Sequence, residues 1–68
     1  MRIALNGRER ELRDGATVVD AVVAAAGDAE RRGIAVALEG EVVPRGRWRE
    51  TPLADGQRVE VLEARQGG

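Results

Sequence analysis

TVVDAVVAAAG, at residues 17–27, is the stretch that decides the fold class, because it carries the one helical pattern in this chain. Its valines and alanines recur at the three- and four-residue spacing of a helix face that packs on a core. Thr17 suits the N-cap, and Asp20, three residues later, makes a weak version of the capping box. Gly27 is well placed to end the helix. The small side chains indicate a helix that lies close against a sheet.

Two strands are predicted before this helix. Ile3 and Leu5 alternate with smaller or polar residues, and this period of two is typical of a half-buried strand. Asn6-Gly7 favours a type I′ hairpin turn, since both residues tolerate positive φ angles. The returning segment Arg8–Leu12 is polar except for its last residue, so we expect an edge strand protected by charge. An Asp14-Gly15 turn then leads to the helix.

Further strands are predicted after the helix. Ile34–Leu38 has the composition of a strand, and a turn separates it from the short strand Glu41–Val43, which Pro44 halts. The segment Arg45–Pro52 is expected to be irregular. Its single large apolar residue, Trp48, is expected to be a partly buried anchor that covers one end of a thin core.

The last strand completes the fold class. Val59 and Val61 share one of its faces, while Leu62 points to the other. One helix among several strands predicts an α+β fold, with the helix packed against one sheet. No internal repeat or linker is visible, so we expect residues 1–68 to form a single domain. We expect residues 64–68 to be a flexible C-terminal tail.

Composition argues against several functions. The chain has no cysteine and no histidine, so it lacks thiolate metal ligands and the side chain best suited to acid–base catalysis near neutral pH. We therefore expect no metal site, and a protein that is not an enzyme. The 11 basic and 12 acidic residues are spread along the chain, which provides no basic face for nucleic acid. The longest apolar region, Val18–Ala26, is interrupted by Asp20, so no membrane association is expected and the cytoplasm is the expected location.

The sequence ends in Gly67-Gly68, with only Ala64, Arg65 and Gln66 between these glycines and the last strand. Two glycines make a thin peptide with few conformational restrictions. If the chain ends there, such a peptide can enter a narrow channel in another protein and present its carboxylate for chemistry. Frayed chain ends are common, so this feature alone favours the functional interpretation only modestly.

The whole chain resembles the ThiS family, the sulfur carriers of thiamine biosynthesis. The most specific part of the resemblance is the run Glu41-Val42-Val43-Pro44-Arg45 with Trp48 three residues later, together with the terminal Gly-Gly. The other matching segments are Leu5-Asn6-Gly7, Asp14-Gly15-Ala16-Thr17-Val18, Val36-Ala37-Leu38, Gly40, Leu53, Asp55-Gly56, Val59-Glu60 and Gln66. Two residues depart from the family pattern: Glu39 stands where asparagine is usual, and Arg65 stands where an apolar residue is common.

The resemblance implies a ubiquitin-like β-grasp fold with a mixed four- to five-stranded sheet, in which the first and last strands lie parallel at the sheet centre. It also implies a reaction cycle. A ThiF-like adenylyltransferase activates the Gly68 carboxylate with ATP, and sulfur that originates from a cysteine desulfurase replaces AMP. The resulting thiocarboxylate, a 1-thioglycine at Gly68, delivers sulfur to a ThiG-like thiazole synthase. The carrier binds no cofactor itself, because ATP and the sulfur source are used by its partners.

These implications define the candidate site residues. Gly68 is the modified residue, and Gln66, Gly67 and Gly68 are expected to thread into the partner's active site. Adenylation requires the whole carrier to be held, so we also expect one sheet face to dock on the partner. The expected docking residues are Leu62, Ala4, Ala37 and Arg65.

Two other interpretations stay open from the sequence. A sulfur carrier for molybdopterin or for a sulfur-containing natural product would share the fold and the Gly-Gly end. A small β-grasp interaction module would instead bind a partner through its sheet, without modification at Gly68.

Overall fold

The computed structural model describes residues 1–64, which form one sheet and one main helix. The sheet has five strands, and a single α-helix crosses one of its faces. The elements in chain order are β1 (Arg2–Leu5), β2 (Arg8–Glu11), α1 (Val18–Ala26), β3 (Ile34–Leu38), β4 (Glu41–Val42), a 3₁₀ helix (Arg45–Glu50) and β5 (Arg58–Glu63).

The strand order is β2-β1-β5-β3-β4, so the last strand lies in the middle of the sheet. β1 and β5 run parallel, with Ala4 opposite Arg58 and Leu5 opposite Val59. The other three pairings, β1–β2, β3–β4 and β3–β5, are antiparallel. A mixed sheet with this order and one helix on its face is the ubiquitin-like β-grasp fold, as predicted.

The helix begins and ends at the predicted residues. The backbone N–H of Thr17 donates to the Asp20 carboxylate at 2.8 Å, which is the acidic half of the capping box. Gly27 adopts φ +85° after the last turn, and its N–H donates to the Val23 carbonyl. Both ends therefore satisfy backbone groups that a helix terminus leaves unpaired.

Small and branched aliphatic side chains fill the core between α1 and the sheet. Ala21 on the helix is fully buried, which allows the helix to approach the strands closely. The buried apolar residues are Ile3, Leu5, Ala16, Val18, Ala21, Val22, Val36, Trp48, Leu53, Val59 and Val61. They agree with the face assignments made from the strand periodicity, including Val59 and Val61 on the inner face of β5.

Trp48 and its segment differ from the prediction. Arg45–Glu50 forms a 3₁₀ helix where an irregular segment was expected. Trp48 is only 3% exposed, so it is a full member of the core rather than a partly buried cover at its edge. Its indole N–H donates to the Val43 carbonyl at 2.8 Å, which satisfies the hydrogen-bonding group of the buried ring.

Asn6 links the two parallel strands. Its backbone adopts φ +52° in the hairpin turn, a left-handed conformation that asparagine tolerates better than most residues. Its side-chain amide donates to the Val61 carbonyl at 3.2 Å, and its side-chain oxygen accepts from the Val61 N–H at 2.8 Å. The side chain thus continues the β1–β5 ladder beyond the end of β1.

Two further observations concern residues 1–64 alone. No helix in that range is long and apolar enough to cross a membrane. No cluster of three or more histidine, cysteine, aspartate or glutamate side chains that could hold a metal occurs there either.

Candidate functional site

The predicted site residues divide into two groups. Arg65, Gln66, Gly67 and Gly68 lie outside the described residues, so their expected roles in modification, threading and docking stay predictions. The three remaining docking candidates, Ala4, Ala37 and Leu62, all lie in strands of the sheet.

Those three candidates share the sheet face that lies away from the helix. Ala4 in β1 is opposite Arg58, and Ala37 in β3 is opposite Glu60, two residues along β5 from both Arg58 and Leu62. Residues two apart in a strand point to the same face. Leu62 is 68% exposed, while the two alanines are half-buried among their neighbours. We call this surface the open face.

Two more apolar residues extend the open face, and the sequence analysis missed them. Ala35 lies directly opposite Leu62, and Val42 lies directly opposite Ala37. Val42 is 77% exposed, the largest exposed fraction among the big apolar side chains of residues 1–64. A signal for Val42 was present in the sequence, because a two-residue Glu39-Gly40 turn places residue 37 opposite residue 42.

A shallow recess of about 230 Å³ indents the open face where strands β1, β3 and β5 meet their turns. Its lining residues are Ala4, Gly7, Gly40, Arg58, Val59 and Glu60. Gly7 and Gly40 have no side chains that could fill the recess. Arg58 and Glu60 supply opposite charges beside this apolar floor.

Glu39, a departure from the family pattern, has a structural role beyond its turn. Its φ is +50°, in the left-handed region that asparagine adopts more readily than glutamate. Its carboxylate accepts a hydrogen bond from the Arg58 backbone N–H at 2.6 Å. The glutamate therefore binds the first residue of β5 at the edge of the recess.

The base of the predicted tail lies at the end of β5, next to the loop that precedes β3. The Ala64 N–H donates to the Gly33 carbonyl at 2.7 Å. One residue earlier, the Glu63 carboxylate pairs with the Arg31 guanidinium at 2.7 Å. Gly33 has φ +79°, and a Cβ there would lie 3.3 Å from the Ala64 carbonyl oxygen. Ala64 is the one residue of the predicted flexible tail that is described, and it is hydrogen-bonded to this loop.

The described part of the predicted site is an exposed, partly apolar surface on the sheet, next to the base of the tail. Small and exposed apolar side chains occupy the open face, and opposite charges surround them. β5 carries Leu62 on this face and ends at Glu63, directly before Ala64, so Leu62 lies two residues from the base of the tail.

Comparison with known proteins agrees with the fold. The sequence matches the ThiS family over residues 3–68. A crystal structure of the thiamine biosynthesis protein ThiS from Geobacter metallireducens is 28% identical, with a TM-score of 0.77, and the alignment covers 100% of both chains. An NMR solution structure of a thiamine biosynthesis protein from the same organism has the same identity and TM-score, and covers 100% of this chain and 88% of its own. No curated protein sequence matches the chain.

The family match extends over nearly all of the 68 residues, including the run around Pro44 and both terminal glycines. The structural similarity independently covers the whole chain at a sequence identity of 28%. The chain therefore belongs to the ThiS family, the small sulfur carrier proteins of thiamine biosynthesis, which are not catalytic enzymes.

Proposed function

We propose that this protein carries sulfur as a thiocarboxylate on Gly68. A terminal carboxylate is ionised at neutral pH and can attack the α-phosphate of ATP, with pyrophosphate as the leaving group. The acyl carbon of the adenylate then accepts a sulfur nucleophile. A carbon–sulfur bond forms, the bond to the adenylate oxygen breaks and AMP leaves. The thiocarboxylate then donates its sulfur to the thiazole of thiamine.

The side chains of the carrier indicate which parts of the chemistry its partner enzymes would supply. Neither cysteine nor histidine occurs in the sequence, so the carrier contributes the acyl group and little else. A ThiF-like adenylyltransferase would bind ATP and activate Gly68. Cysteine-desulfurase-derived sulfur, reduced to the sulfide level by a thiol, would replace AMP, and a ThiG-like thiazole synthase would consume the product. Under this proposal no cofactor resides on the carrier itself.

The observation that carries the proposal is the position of the open face on the strand that leads to the tail. Leu62 lies two residues before Ala64, and it faces outward beside Ala35. On the same face, Val42 packs beside Ala37 across the β3–β4 pair. Exposed apolar side chains at such a site are typical of a protein interface. A partner that binds this face therefore also binds β5, the strand that leads to Gly68.

The terminal glycines provide the test. In Gly67→Val, a Cβ adds bulk in the channel and removes the conformations open only to glycine. One alanine appended after Gly68 presents the wrong carboxylate to ATP, and an error of about 1 Å in position can cost on the order of a hundredfold in rate. Both variants should melt like the wild type, because both changes lie beyond β5.

Each protein is incubated with the adenylyltransferase, ATP and a sulfur source, and its conversion is followed by intact mass. A matched control, Gly46→Ala, introduces the same kind of change at an exposed position where an added Cβ meets nothing within 4 Å. We expect the control to convert at the wild-type rate and both tail variants to resist conversion. Wild-type rates in both tail variants would refute the sulfur-carrier proposal.

A further inference from the structure

The run Val43-Pro44-Arg45 with Trp48 carries much of the family resemblance, yet it lies away from the open face. Several residues of this run contact one another. The Trp48 indole N–H donates to the Val43 carbonyl, and the Arg45 guanidinium lies over the indole ring, 4.4 Å from its centroid. Because Trp48 is buried in the core, it gives Arg45 a fixed surface on which to stack.

From that surface Arg45 reaches the loop between α1 and β3. Its two terminal nitrogens donate to two carbonyls of this loop, Nη1 to Ala29 at 2.6 Å and Nη2 to Arg31 at 2.5 Å. Two bonds from one planar group, made while it stacks on an aromatic ring, require the geometry of arginine; lysine cannot reproduce them. Arg45 therefore joins the loop to the core.

The same loop, Asp28–Gly33, contacts the chain where β5 ends. The Gly33 carbonyl accepts the Ala64 N–H, and Arg31 pairs with Glu63. Gly33 suits this contact because its φ is positive and because a Cβ there would press on Ala64. A continuous series of contacts thus connects the buried indole, Arg45, the loop and the base of the tail.

We propose that Arg45 is a positioning residue: by holding the loop Asp28–Gly33 against the core, it fixes the point at which the tail leaves the domain. This inference rests on the proposed function in one respect, namely that the reacting group lies at the end of the tail. Four residues lead from Ala64 to Gly68, so the carboxylate lies within about 14 Å of Ala64 at full extension. Holding Ala64 therefore limits the space that the carboxylate samples and raises its effective concentration at the partner's nucleotide.

The first test needs only the carrier. Amide hydrogen exchange is compared in wild type, Arg45→Ala, Arg45→Lys and the control Arg47→Ala, which removes the same charge from the same 3₁₀ helix. We expect exchange at Ala64 to accelerate roughly tenfold or more in both Arg45 variants, with Val59 in the core still protected. Arg47→Ala should match the wild type. Unchanged exchange at Ala64 in both Arg45 variants would overturn the proposal.

The second test separates positioning from stability. Single-turnover adenylation is measured with increasing adenylyltransferase, at a temperature where every variant is folded. Because the open face is intact, we expect half-saturation within about twofold of the wild type for the Arg45 variants. The rate at saturation should fall roughly threefold or more, since fewer docked tails reach ATP. A purely destabilising effect would leave the saturating rate at the wild-type value, because every variant is folded at this temperature.

The Lys variant keeps the experiment decisive if Arg45→Ala fails to fold, since it retains the charge and the aliphatic stem. Wild-type saturating rates in Arg45→Lys, with Ala64 exchange also unchanged, would contradict the positioning role. If the wild-type carrier itself is not converted, the sulfur-carrier function fails. In that case the exchange data still decide whether Arg45 holds Ala64.

Discussion

Asn6 offers a sharp test of what holds the two parallel strands together. Fifty-five residues separate it from Val61 in sequence, yet its side chain makes one hydrogen bond to the N–H and another to the carbonyl of that residue. Its backbone N–H also donates to the Val59 carbonyl at 2.9 Å, and this contact survives any side-chain change. Replacing the side chain therefore removes two long-range bonds and leaves the third.

The expected loss in the free energy of unfolding can be worked out from these contacts. Each side-chain bond should contribute about 1 kcal/mol, so Asn6→Gly should lower the free energy of unfolding by about 2 kcal/mol. Asn6→Ala loses the same bonds and keeps a Cβ at φ +52° without the polar side chain that helps asparagine tolerate this conformation, so it should cost roughly 1 kcal/mol more than Asn6→Gly. For a domain of this size, 1 kcal/mol corresponds to about 4–8 °C in Tm. We expect drops of roughly 8–16 °C for the glycine variant and more for the alanine variant.

Thermal and urea unfolding of both variants and the wild type provide the measurement. Gly7→Ala serves as a control, because it strains the same turn at φ +82° without touching β5. If Asn6→Gly melted within about 2 °C of the wild type, the two side-chain bonds would add nothing to the net stability, and the reasoning would be wrong. An alanine variant more stable than the glycine variant would contradict the assigned backbone strain.

Two further predictions concern the core and the open face. Trp48→Ala should lower the free energy of unfolding by about 3–5 kcal/mol, a large part of the stability of a small domain, and Trp48→Phe should lower it less. A Trp48→Ala protein that melts like wild type yet accepts no sulfur would indicate a recognition role instead. Leu62→Asp should weaken binding to the adenylyltransferase about tenfold or more in a titration while unfolding stays cooperative. Val23→Asp, at a 46% exposed valine on the helix, is its control, and unchanged binding of the Leu62 variant would exclude Leu62 from the interface.

Local features of the sequence predicted the elements well, because each depends on neighbours along the chain. The helix begins after Thr17 and ends before Gly27, as expected. Asn6-Gly7 and Glu39-Gly40 form the turns between paired strands. The parallel pairing of β1 with β5 came from the family resemblance. Residue patterns alone could not supply it, since the two strands lie about fifty residues apart.

The less predictable features depend on contacts between distant segments. Arg45–Glu50 has no strong apolar periodicity, so nothing local indicated a 3₁₀ helix; it forms where Trp48 enters the core. The contacts of Arg45 with the loop carbonyls are equally long-range. The exposed Val42, by contrast, was predictable in principle, because the length of the β3–β4 turn fixes its partner.

The central claim is that Gly68 carries sulfur, and the intact mass of the carrier tests it most directly. Wild-type protein is isolated from its own cells, and in parallel it is treated with the adenylyltransferase, ATP and a sulfur source. Fragmentation then locates any added mass. We predict a species in which one oxygen is replaced by one sulfur, with the change confined to Gly68, and its disappearance when thiazole synthase and its substrates are added. A carrier that keeps its unmodified mass under both conditions would contradict the account.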